Sequence, residues 1–139
     1  MAKIEKFEDL QVWQLAKEIC HDTWQLFDST TTLGNDYELK NQMRRSSGSI
    51  MDNIAEGFER NGNREFIQFL SIAKGSCAEL RPQLYRALDR NHIAQHQFDT
   101  LSAKTEYENK RMGSFISYLN SSEYKGSKFS KPGAQNSEL

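Results

Sequence analysis

The chain has 139 residues, 27% charged and 37% apolar, with a formal net charge of -1. That length suits one domain around one core, and the balance of charge excludes a chain that is basic as a whole. No apolar run approaches the ~20 residues of a membrane span, so no membrane association is expected.

The opening "MAKIEKFEDL" is charged and lacks the apolar stretch of a signal peptide, which makes cytoplasmic residence the default expectation. Helical periodicity dominates from there on, and strand-like alternation is absent. The first predicted helix covers about Phe7 to Asp28. Leu10, Trp13, Cys20, Trp24 and Phe27 form one apolar stripe, and Val12, Ile19 and Leu26 form a second. Two stripes make a face wider than one bundle core needs. The excess points either to a subunit interface or to a helix sunk deeply in its own bundle.

"STTTLGND" reads as a loop. A second helix begins at the N-cap Asp36 and runs to about Glu59, with Leu39, Met43, Ile50, Ile54 and Phe58 inward. The run Ser46 to Ser49 has little side-chain bulk. Gly48 costs about 1 kcal/mol of helix propensity relative to Ala, for which close helix packing would compensate. "RNGN" is a loop, and Asn63 is positioned to cap the third helix. There Phe66, Leu70, Ala73, Cys77, Leu80, Leu84 and Ala87 form a bundle seam. Pro82 interrupts that helix and predicts a kink between Ala78 and Pro82.

"DRNH" ends the third helix. The fourth runs from about Ala94 to Asn120, with Phe98, Leu101, Thr105, Met112, Phe115 and Leu119 inward. The reading is all-α: an antiparallel up-down-up-down four-helix bundle over residues 1–121. Residues 122–139, rich in Ser, Gly and Lys, are expected to be a disordered tail. Cys20 and Cys77 both fall on apolar stripes and read as reduced core residues.

Charge is unevenly spread. Residues 1–36 hold three Lys and seven Asp/Glu, and residues 60–92 hold six Arg/Lys and three Asp/Glu. An acidic and a basic region would follow, although a mixed solvated surface is the simpler expectation.

The segments "FEDLQVWQLAKEI" and "QMRRSSGSIMDNIAEGFERNGNREFIQFLSIAKGSCAEL" resemble the four-helix-bundle family of 23S rRNA intervening-sequence proteins. That family also contains the accessory protein of diversity-generating retroelements. The resemblance spans residues 7–120, and its most specific part is "SIMDNIAEGFER" followed by "FLSIAKGSCAEL". It implies a homopentameric ring around a central channel. For some members it implies association with RNA or DNA, or with a reverse transcriptase or other nucleic-acid enzyme. Family motif positions fall on Arg44, Arg45, Ser49, Asn53, Glu56, Gly57 and Arg60, then on Phe69, Gly75, Ser76 and Glu79. The chain departs from the family pattern at Pro82 and at Met112-Gly113.

Ser49, Asn53, Glu56 and Gly57 share one helix face at about 100° per residue. Gly57 and Ser49 would admit a neighbouring helix. Asn53 and Glu56 would then need partners, and Arg45, Arg60, Arg64 and Arg81 are available. A polar network fixing helix register or a subunit contact is expected, with a ligand pocket as the sharper alternative. Arg44, Arg45, Arg60, Arg64 and Arg81 are the candidates for nucleic-acid binding, because guanidinium grips phosphate bidentately. Salt bridges to Glu56, Glu59 and Glu65 are the plainer reading for any single one of them.

His92 and His96 read as a surface pair without a third metal ligand. No nucleophile motif, dinucleotide fingerprint or phosphate loop is present, so no catalytic residue, metal or cofactor is assigned. The functional reading is a non-enzymatic oligomeric bundle that binds RNA or DNA through basic residues, or scaffolds a nucleic-acid-processing partner. The rival is a purely structural or protein-interaction ring without nucleic-acid affinity, which the isoelectric point of 6.3 favours.

Overall fold

A computed structural model describes residues 3–29 and 31–121. Among them every regular element is helical. A 3-10 turn, Phe7–Asp9, precedes α1 (Gln11–Ser29), α2 (Thr31–Asn35), α3 (Tyr37–Glu59), α4 (Asn63–Asp89) and α5 (Gln95–Ser121). The four long helices close a bundle in which α3 packs on α1 and α4, and α5 packs on α4 and α1. No described helix is long and apolar enough to cross a membrane. The tail expected at 122–139 lies outside the described residues.

Local chemistry sets the element ends. The Asp9 carboxylate accepts from the backbone N–H groups of Glu5 and Lys6 at 3.0 and 3.2 Å. This local turn separates "FED" from α1, so the first helix begins later than its apolar pattern implies. Within "STTTLGND" the chain forms the short α2 instead of an open loop, because Leu33 is fully buried and anchors it to the core. Asp36 caps α3, its side chain accepting from the N–H of Leu39. Gly62, with φ of 139°, stands at the N-cap of α4. Asn63 therefore does not cap, and its amide instead donates to the Leu119 carbonyl at 3.2 Å, tying α4 to the end of α5.

The end of α4 follows from "DRNH". Asn91 takes the left-handed conformation, φ 60°. The N–H groups of Asn91 and His92 bond back to the carbonyls of Leu88 and Ala87. This closing pattern satisfies carbonyls that the helix itself leaves open, and Asn tolerates the backbone conformation better than most residues. α4 remains one helix through Pro82.

The seam of α4 is buried at every expected position, and so are the six expected positions of α5. Phe58, Phe66 and Phe115 meet edge to face at the centre, with ring centroids 6.0 and 5.3 Å apart. Each such buried ring contributes roughly 2–3 kcal/mol of apolar burial. In α1 the buried stripe is Val12, Ile19 and Leu26, with Ala16 and Phe27, and Leu10 is buried just before the helix. Trp13 and Cys20 lie half-buried at its edge, and Trp24 points outward, 49% exposed.

Candidate functional site

The face shared by α3 and α4 holds the small and polar residues of the central motif. Ser76 on α4 donates its hydroxyl to the Ser49 hydroxyl on α3 at 2.8 Å. The Asn53 amide donates to the same hydroxyl at 2.9 Å and to the Ser49 carbonyl at 2.8 Å. Three side chains thus form one chain of hydrogen bonds across the helix pair. Such a chain is satisfied only when the two helices hold one register.

Gly57 lies one turn further along α3. A Cβ there would stand 2.6 Å from the Phe69 Cβ and 2.9 Å from the Phe66 Cδ1. No side chain fits, so α4 approaches the α3 backbone directly. Gly48 behaves differently: a Cβ would meet nothing within 4 Å. Within "SSGS" the buried residues are Ser46 and Ser47, with Ser49 half-buried in the hydrogen-bonded chain, and the glycine makes no close approach.

Glu56 is not part of the hydrogen-bonded chain. It turns outward to Arg60 at 3.0 Å, with both side chains about half exposed. The Arg60 guanidinium lies 5.1 Å from the Phe69 ring centroid, over the ring that Gly57 admits. Arg45, Arg64 and Arg81 do not reach Asn53 or Glu56. The partners of Asn53 are serines, because a one-turn spacing on α3 and a facing position on α4 bring small hydroxyls within reach where long arginines project outward.

The five candidate arginines do not form one cluster. Arg60 and Arg64 flank the α3–α4 turn. Arg44 and Arg45 lie ~24 Å away along α3, at 1.5 Å per residue. Arg45 lines an open groove of about 470 Å³ with Gln42, Ser46, Glu79, Gln83 and Arg86. Arg86, which the sequence reading missed, donates to Gln42 at 2.6 Å. Arg81 faces α5 instead, donating to the Ser102 hydroxyl at 3.2 Å and lying 3.8 Å from Glu106. Arg44, Arg45 and Arg64 are exposed and have no carboxylate within 4.0 Å among the described residues.

Two other polar sites were not legible as such. His92 does not pair with His96. It is half-buried and bonds through Nε2 to Asp36 at 2.9 Å, where Arg90 also donates at 2.8 Å. These two hydrogen bonds hold the Asp36 carboxyl below its ordinary 3.8. Glu108 is fully buried on α5, and neither carboxylate oxygen has a hydrogen-bond partner. Burial pushes it up to about 9, against a smaller lowering by Arg111. At neutral pH it is an uncharged carboxylic acid. Its signal was the gap in the α5 pattern: Thr105 and Met112 leave a seam position at 108 with no apolar residue.

The cysteines are free, and both thiols are raised. Burial lifts Cys20, with a hydrogen bond from Ser47 opposing it. Burial and the Glu108 charge push Cys77 up to about 12. Among the described residues no group of three His, Cys, Asp or Glu is placed to hold a metal ion.

The arrangement of these helices is similar to a crystal structure from Bacteroides thetaiotaomicron VPI-5482, a protein of unknown function from the S23 ribosomal protein family. The TM-score is 0.68 at 24% identity, over 76% of this chain and 97% of that one. That likeness is one of fold. None of the curated proteins matches the chain. Residues 8–114, which include the whole hydrogen-bonded face of α3 and α4, match the family model of the 23S rRNA-intervening sequence protein. The chain belongs to the family of 23S rRNA-intervening sequence proteins.

Proposed function

We propose that this protein is a non-enzymatic, oligomeric helical bundle that binds RNA or DNA through exposed arginines, or holds a nucleic-acid-processing partner such as a reverse transcriptase on its nucleic acid. The observation that carries the reading is the state of Arg44, Arg45 and Arg64. They are exposed and without carboxylate partners among the described residues, where salt bridges were the plainer expectation. A guanidinium free of protein anions is available to phosphate. The family name, which ties its members to an insertion in 23S rRNA, supports nucleic acid as the partner.

Assembly as a ring, with five copies as the family resemblance implies, would repeat each arginine around one band. Trp24 and Ile72, 49% and 52% exposed, are among the large apolar side chains available for such contacts. Binding of RNA and DNA by the purified protein is to be measured across a salt series, with particle mass determined in the same buffers. A ring-sized particle whose affinity falls steeply with salt is the expected result. Arg44→Ala/Arg45→Ala/Arg64→Ala should then weaken binding and flatten the salt slope. An assembled particle that binds neither nucleic acid at low salt would leave a protein-interaction ring as the correct reading.

A further inference from the structure

A second groove, between α4 and α5, has a different chemistry. Its larger part, about 860 Å³, is lined by Lys74, Lys110, Asn109 and the hydroxyls of Ser114, Ser117 and Ser121, with Gly113 and Tyr118 completing the wall. No carboxylate among the described residues lines it. Neither Lys74 nor Lys110 has an acidic partner within 4.0 Å among the described residues. Lys110, Ser114, Ser117 and Ser121 follow each other at spacings of four, three and four, so one face of α5 presents a cation and then three hydroxyls.

The groove is built to hold its lysine. The Lys74 Cε lies 3.3 Å from where a Cβ of residue 113 would stand, so Gly113 leaves room for the Lys74 stem on α5. The Asn109 amide donates to the Lys74 carbonyl at 3.2 Å and ties the two walls together. Through Asn109 and Lys110 the groove continues into a second part of about 490 Å³, with Arg81, Pro82, Tyr85 and Glu106 on its walls. Glu106 is the one carboxylate there among the described residues, and Arg81 lies 3.8 Å from it. Tyr85 is 48% exposed, and its ring packs 4.6 Å from that of Phe98, which fixes it as a platform.

We infer that the α4–α5 groove binds a single-stranded nucleic-acid segment, with phosphates on Lys74 and Lys110 and a base stacked on Tyr85. The inference rests on the nucleic-acid reading above but places part of the contact on residues outside the arginine set. From Lys74 to Tyr85 the α4 wall runs ~17 Å, long enough for a few nucleotides. Two cations without a carboxylate partner among the described residues and an exposed ring form the usual chemistry of sequence-tolerant single-strand binding.

The test is fluorescence anisotropy with a labelled oligouridylate and with a duplex of the same length, using the full chain across a salt series. Lys74→Ala/Lys110→Ala should lose about tenfold in single-strand affinity, and its salt slope should fall by about 1.4, the value for two phosphate contacts on a single strand. Tyr85→Ala should cost about tenfold more with little change in slope. Duplex binding should change far less in both. Lys110→Glu, at an exposed position, provides the same readout if the double variant is less stable. Wild-type affinity and slope in these variants would overturn the groove while leaving the arginine reading intact. Equal losses on duplex and single strand would also overturn it. A wild-type protein that binds neither probe removes both readings at once.

Discussion

Asp36 accepts a 2.9 Å hydrogen bond from His92, which lies 56 residues further along the chain. The same carboxylate caps α3 and receives Arg90 at 2.8 Å. One side chain therefore closes the start of α3 and the end of α4 together. Asp36→Ala should lower stability by ~1–2 kcal/mol at neutral pH through the lost cap. The carboxyl is held below 3.8 in the folded chain, so its contribution is complete above that pH and fades as the pH falls further. Urea unfolding of both proteins at neutral and acidic pH should show the difference closing below 3.8. A gap that persists unchanged in acid would mean that the ion pairs contribute nothing.

The two glycines of the α3 motif should answer oppositely to the same substitution. Gly57→Ala puts a Cβ 2.6 Å from that of Phe69, which cannot rotate away, and should cost ~1–3 kcal/mol through overpacking. Gly57→Leu should abolish folding or assembly. Gly48→Ala meets nothing within 4 Å and should raise stability by about 1 kcal/mol through helix propensity. Thermal or urea melts of the three proteins decide the matter. A soluble, normally assembled Gly57→Leu protein would sink the close-approach argument.

Glu108 makes a prediction with the opposite pH sign from Asp36. Its folded pKa is about 9 against an ordinary 4.5, so the folded state holds the proton more tightly. Stability is complete below 4.5 and declines as the pH rises towards 9. The decline by pH 7 is on the order of 3 kcal/mol. Glu108→Gln keeps the shape and removes the titration, so it should flatten the stability profile and exceed the wild type on the alkaline side. Parallel profiles for the two proteins from acid to alkaline pH would refute a buried neutral carboxyl.

The thiols should differ in reactivity. Cys20 is half-buried and Cys77 fully buried, and both are protonated at neutral pH. A thiol reagent should label Cys20 first and reach Cys77 only on unfolding. Mass spectrometry after timed labelling would show this, and prompt labelling of Cys77 in the folded protein would contradict its burial.

The four long helices, the α4 seam, the cap at Asp36 and the room needed at Gly57 are all set by the sequence itself. Each depends on periodicity or on a residue's local chemistry, which acts over a few neighbours in the chain. Which stripe of α1 enters the core was not set in this way, because both stripes carry large apolar side chains and only the packing of α3 and α5 selects Ile19 over Trp24. Asn53 and Glu56 find their partners one turn away, in Ser49 and Arg60, but the tie from Ser49 to Ser76, the tie from Asp36 to His92 and the burial of Glu108 all join or depend on residues from different helices. So does the α4–α5 groove, whose Lys74 and Lys110 are 36 positions apart and line one groove only after α4 and α5 have packed. Hydrogen bonds and ion pairs act over a few ångströms, and the folded bundle decides which distant side chains come that close.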